Sequence, residues 1–146
     1  MISQTAEYAL RAVVCLGQHH PQALTTRDIA GQTRVPAGYL SKVLQALGRD
    51  DIVQSQRGLG GGWALSVPPK RLTILRVVNA VDPLQRIHTC PLDLKSHGTR
   101  LCPLHRKLDD ALASIEKAFA QTTIDHILRD PARSTPLCEV TVRRSA

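Results

Sequence analysis

The chain has 146 residues, 42% hydrophobic and 21% charged, which calls for one packed domain with room for an appended arm and excludes a disordered chain. Lysine and arginine outnumber aspartate and glutamate by 19 to 12, and the resulting charge of +7 is spread over both halves, favouring a polyanionic partner, nucleic acid before anionic lipid. No apolar run approaches the ~20 residues that span a bilayer, and the amino terminus lacks the charged-then-apolar layout of a signal peptide, so no membrane partner is expected and a cytoplasmic, nucleoid-associated location is.

Aromatic residues are scarce, so the core must come from Leu, Ile, Val and Ala, the habit of mainly α domains. Apolar residues Ala6, Ala9, Leu10, Val13 and Val14 recur at helical spacing between Ser3 and about His19, before His20-Pro21 ends the pattern. Thr25 and Thr26 are caps for a short second helix with Asp28 in its first turn, and Arg34-Val35-Pro36 breaks it. A third helix, roughly Ala37 to Leu47, turns Leu40, Val43, Leu44 and Leu47 inward. Ile52 to Gln56 reads as a strand, Gly58 to Gly62 as a turn, Trp63 to Ser66 as a returning strand, and Thr73 opens a helix to about Val81.

Asp82 to Leu101 shows no sustained periodicity, and so long a structureless stretch calls for a functional or disorder explanation. The longest helical pattern follows, Pro103 to about Gln121, with Leu104, Leu108, Leu112, Ile115 and Phe119 on one side. A helix of this length would span roughly 28 Å, a stripe that so small a globule cannot bury alone, so a partner helix is expected. Thr122-Thr123 caps a last short helix to about Arg129. The expected organisation is a DNA-reading domain over 1–82, a sensor or metal-binding loop over 83–102, dimerisation helices over 103–130 and a tail over 131–146.

Two short helices, a tight turn and a two-stranded hairpin make the order of a winged helix-turn-helix. The third helix leaves Tyr39, Ser41, Lys42 and Gln45 on the outer surface, where they reach a major groove of double-stranded DNA. In the hairpin tip Arg57-Gly58-Leu59-Gly60-Gly61-Gly62, glycines such as Gly60 allow close backbone approach while Arg57 enters a minor groove or holds a phosphate. The glycine run lacks a following Lys-Ser/Thr, so it is no P-loop.

Three runs carry a family resemblance: Ala6-Glu7-Tyr8-Ala9-Leu10-Arg11-Ala12, Gly38 to Leu47, and Arg57 to Leu65. In this order they resemble the opening helix, recognition helix and wing of the IscR/NsrR-type (Rrf-two) winged-helix transcription regulators, over about Met1 to Arg129. The resemblance implies a homodimer with the Pro103–Gln121 helix at its interface, a palindromic operator, and Tyr39, Ser41, Lys42 and Arg57 at or near the DNA. Repression is expected ahead of activation, because no activation segment is evident.

Members of that family with a sensory iron–sulfur cluster carry three evenly spaced cysteines before the dimer helix. Here the first and third positions are Cys90 and Cys102, the middle one is Ser96, and His105 stands at the histidine position. Cys90, His97, Cys102 and His105 still offer two thiolates and two imidazoles within sixteen residues, enough for a [2Fe-2S] cluster with mixed ligation or a tetrahedral zinc site. Glu7 matches a position where some relatives supply a carboxylate, and otherwise pairs with Arg11. The alternatives are structural zinc, thiol chemistry alone, or no cofactor. Cys15 reads as a packed thiol and Cys138 as a tail residue. A zinc enzyme is not expected, since no general base stands beside the ligands and no deaminase-type His-x-Glu motif is present.

Overall fold

Ser3 opens the first helix, its Oγ accepting from the Ala6 amide at 3.2 Å. In the computed structural model, which describes residues 2–97, 100–131 and 135–137, this helix α1 runs Gln4–His19 and forms the hub of the fold. Its inner face, with Ala9, Ala12, Val13, Cys15 and Leu16 wholly buried, is packed against α2 (Thr26–Thr33), α3 (Ala37–Arg49), α4 (Ile74–Val81) and α6 (Ile124–Arg129). The small side chains of α1 let those neighbours come close. At Gly17, a Cβ would already lie 3.1 Å from both Ile124 and Leu128 of α6.

The local signals act as their chemistry requires. Thr25 and Asp28 form a reciprocal capping box at α2, with Oγ1 accepting from the Asp28 amide at 3.1 Å and Oδ2 accepting from the Thr25 amide at 3.3 Å. Arg34 ends α2 in the left-handed region, with φ of 58°. The third helix is one half-turn longer than its apolar spacing indicated, reaching Arg49, because its last residues are exposed and carry no core side chain to announce them.

Strands β1 (Val53–Gln56) and β2 (Gly62–Leu65) pair antiparallel with Val53 opposite Leu65 and Gln56 opposite Gly62. The segment before α2 adds to this hairpin: Leu24 N–H donates to the Trp63 carbonyl at 2.8 Å and Trp63 N–H donates to the Leu24 carbonyl at 2.7 Å. That bridge fixes the hairpin to the helical body.

After α4 the chain runs through residues 82–102, whose described residues hold one 3-10 turn, at Lys95–His97, and then forms α5 over Pro103–Gln121. No residue of α5 is buried. The chain returns to the body through a bridge between Thr73 and Thr123, where Ile74 N–H donates to the Thr122 carbonyl at 3.0 Å and Ile124 N–H to the Leu72 carbonyl at 2.8 Å. Thr123 then caps α6, accepting from the His126 amide at 3.2 Å, while His126 Nδ1 accepts from the Thr123 amide. The stretch read as a tail comes back at residues 135–137, where Gln18 Nε2 donates to the Pro136 carbonyl at 2.6 Å and Leu137 packs against the core. Cys138 lies outside the described residues.

Candidate nucleic-acid interface and sensor segment

Helix α3 is held by Leu40, Val43, Leu44 and Leu47, all buried, and this fixes which residues it shows to solvent. Lys42, Gln45 and Arg49 are exposed along one ridge, and Ser41 is half-buried beside it, its Oγ donating to the Ala37 carbonyl at 3.2 Å. Four of the other helices, α1, α2, α4 and α6, begin with a Ser or Thr side chain on their amides; α3 begins at Pro36 with no side-chain cap. Its first amides therefore face outward beside exposed Ala37 and Gly38, the arrangement that receives an anion. Arg49 was not singled out from sequence. Its spacing of four from Gln45 carried the signal, hidden only by ending the helix at Leu47.

Tyr39 is 39% exposed and leans off the ridge onto α1. Its hydroxyl lies 2.6 Å from Thr5 Oγ1, and its ring meets that of Tyr8 edge-on at 5.3 Å. Glu7, the candidate carboxylate ligand, is bonded to Arg11 Nε at 2.7 Å.

At the hairpin tip the Gly61 amide donates to the Gly58 carbonyl at 2.9 Å, and Gly58 and Gly60 take φ of 95° and 76°. This holds Leu59 fully exposed at the apex, with Arg57 exposed at its base. Among the described residues, Lys42, Arg49 and Arg57 have no carboxylate partner. Three unpaired cations on one helix ridge and the adjoining hairpin form a surface suited to phosphates.

Among the described residues the segment 82–102 forms no α-helix or strand, as its lack of periodicity indicates, but it is pinned near its start. Arg86 makes two parallel bonds to Asp109 of α5, at 2.7 and 2.8 Å, and the Ile87 amide adds a third at 2.9 Å. The Arg86 hydrogen bonds and then the Ile87 amide pull the Asp109 carboxyl down to about 2, and the same pairing raises Arg86 above its ordinary value. Glu116 stands 3.6 Å from Arg86 as an outer partner. Neither charge stood out in the sequence, because nothing in their spacing shows that 23 residues apart they meet.

Of the four candidate ligands the structure brings two together, Cys102 Sγ and His105 Nδ1 at 3.2 Å across the first turn of α5. Cys90 and His97 do not join them: among the described residues no group of three or more His, Cys, Asp and Glu side chains stands close enough to hold a metal. The mixed-ligand set expected from Cys90, His97, Cys102 and His105 is therefore not assembled in the single chain. Arg86 ties the start of the segment to α5, and His97 lies further on, in the Lys95–His97 turn. Within the turn, His97 Nδ1 is buried without a hydrogen-bond partner.

Along the outer face of α5, Leu104, Leu108 and Ile115 are exposed, and a groove of about 440 Å³ runs between Ile2, Leu84, Leu112, Ile115 and Phe119. No helix among the described residues is long and apolar enough to cross a membrane.

A helix pair presenting an unpaired-cation ridge, a glycine-tipped hairpin beside it and a protruding apolar helix define a winged helix-turn-helix DNA-binding regulator. The profile of the Rrf2 family, described as an iron-dependent transcriptional regulator, matches residues 2–130, and the chain belongs to that family. It is similar to an rrf2-like HTH-type transcriptional regulator of Rhodobacter capsulatus, 32% identical over 126 residues that cover 83% of this chain and 80% of that one. The HTH-type transcriptional regulator NsrR of Geobacillus kaustophilus is 28% identical over 137 residues, 90% of this chain and 91% of its own. Among solved structures, IscR of T. potens has a TM-score of 0.75 at 19% identity, covering 90% of this chain and 88% of that one. CymR, the global cysteine regulator of B. subtilis, has a TM-score of 0.72 at 21% identity, covering 86% and 93%. These two likenesses establish the fold. The family is one of transcriptional regulators, not enzymes.

The iron named in the family description meets an incomplete donor set here. Serine stands at the middle ligand position, Glu7 is engaged by Arg11, and only the Cys102–His105 pair is formed. A cluster held by one chain does not fit this arrangement.

Proposed function

We propose that this protein works as a homodimer on a palindromic operator, repressing transcription by occupying it. In this reading Ser41, Lys42 and Gln45 of α3 face the major groove, with Arg49 at the end of the ridge and Tyr39 on its flank. Arg57 and Gly60 bring the hairpin onto the minor groove. The observation that carries it is the set of exposed cations without a carboxylate partner among the described residues, Lys42 and Arg49 along α3 and Arg57 at the base of the hairpin tip, on a helix whose first amides have no side-chain cap. The exposed stripe of α5 supports the dimer, because Leu104, Leu108 and Ile115 have no cover within the described chain. A two-fold dimer places two such surfaces one helical turn of DNA apart, or a multiple of it.

The affinity for DNA is set, in the same reading, by the chemical state of the segment from Cys90 to His105, with the Cys102–His105 pair as its reactive end. The decisive experiment is footprinting of the purified protein on genomic fragments. Two protected half-sites about 10 base pairs apart, or a multiple, are expected, and equal affinity for random DNA would refute the operator reading. Iron, sulfide and zinc are quantified on the same oxygen-free preparation. Iron with sulfide would show that dimerisation regroups the donors around a [2Fe-2S] cluster. Zinc alone would make the segment a structural clasp, and neither would leave the thiols themselves as the sensor.

A further inference from the structure

Tyr39 leaves the recognition helix on the side facing α1, away from the ridge of Lys42, Gln45 and Arg49. Its hydroxyl meets Thr5 at 2.6 Å and its ring meets Tyr8 edge-on, with centroids 5.3 Å apart and planes at 82°. Tyr8 is itself fixed from behind. Gln4 Nε2 donates to its hydroxyl at 2.9 Å, and the Arg11 guanidinium stands 5.4 Å from its ring centre. Arg11 is in turn bonded to Glu7 and, at 3.2 Å, to the Thr33 carbonyl at the end of α2. The first turns of α1 thus make a braced platform, and Tyr39 is the side chain by which the uncapped, glycine-containing first turn of α3 rests on it.

We infer that Tyr39 is a positioning residue of the DNA-reading surface: the Thr5 hydrogen bond and the Tyr8 ring contact set the angle at which α3 is presented, and Tyr39 reads no base. The inference rests on the reading of α3 as the recognition helix. It also gives the platform a place in regulation. Ala6 in the first turn of α1, with Ile2 and Ser3 just before the helix, lines a groove with Pro83 and Leu84 at the start of the sensor segment. The two functional halves of the molecule therefore meet on the turn that carries Thr5.

The test is a double-mutant cycle of Tyr39→Phe and Thr5→Val, read by fluorescence anisotropy on the footprinted operator duplex and on a random duplex. Each substitution is expected to weaken operator binding roughly fivefold, the loss of one hydrogen bond, and the double variant no more than either alone. Binding to the random duplex and its salt dependence stay unchanged and the melting temperature falls by no more than a few degrees, while Thr5→Ser, which keeps the hydroxyl, restores operator affinity. Loss with Tyr39→Phe but not with Thr5→Val would show direct contact with DNA and overturn the inference. Multiplying losses, or no loss in either single variant, would overturn it too. Absence of operator preference in the unaltered protein would instead refute the DNA-reading assignment of α3.

Discussion

A side chain at position 62 would run into the Leu24 carbonyl, and the backbone there sits at φ of 135°, a region that L side chains rarely adopt. The glycine run from Gly58 to Gly62 was legible as a hairpin tip, with its freedom assigned to contact with DNA. Gly62 has another duty, admitting the strand segment of Leu24 to the hairpin, and no local pattern discloses a partner 38 residues back. Gly62→Ala is expected to cost about 1–3 kcal/mol, read as a shift in urea midpoint, with hairpin amides losing exchange protection first. The Arg57 side chain, by contrast, is exposed and has no carboxylate partner among the described residues. Arg57→Ala should leave stability unchanged, weaken binding to operator and random duplex alike, and lower the salt slope by about one.

At the scale of elements, helices were the most legible, because four of them are announced twice, by an apolar stripe and by a cap, and α3 and α5 by their stripes alone. Ser3, Thr25, Thr73 and Thr123 all cap as their positions indicated. The lack of helix and strand in segment 82–102 was legible, but the Arg86–Asp109 clamp was not, since ion pairs between distant charges leave no periodic trace. Arg86→Ala should release the segment, and limited proteolysis should then cut between residues 88 and 101 while the helical body stays intact. The clamp also has a defined acid limit. Asp109 titrates at about 2 in the folded chain against an ordinary 3.8, so its contribution is complete above the ordinary value and disappears as pH falls from about 4 through about 2. Protection of the Ile87 amide, measured by hydrogen exchange across that range, should fall with it. For α5, Ile115→Glu places a charge in the groove beside Phe119 and should yield a monomer in sedimentation, with operator binding lost.

For the whole molecule the decisive fact is that α1 touches nearly every other helix and the hairpin, so stability and DNA presentation share one hub. Ile124 belongs to that hub although it follows the long arm in sequence, and it is wholly buried. Ile124→Ala should cost about 2–5 kcal/mol, a larger loss than any single truncation within exposed α5, as seen in thermal unfolding. The spread of positive charge over both halves, visible in composition alone, gave the class of partner. Which cations remain unpaired could be learned only from the packing.

The bridge between Thr73 and Thr123 makes the chain leave and re-enter its body through one doorway. Among the described residues, none of the buried ones lies between Val78 and Ile124. The whole excursion over 82–121 therefore adds no buried side chain to the core among the described residues, although it rests on α4 and on the groove beside Ile2. Substitution at exposed Ser96 leaves every buried side chain of the helical body in place. Ser96 stands inside that excursion, where a side chain can change without shifting the packing beneath α3.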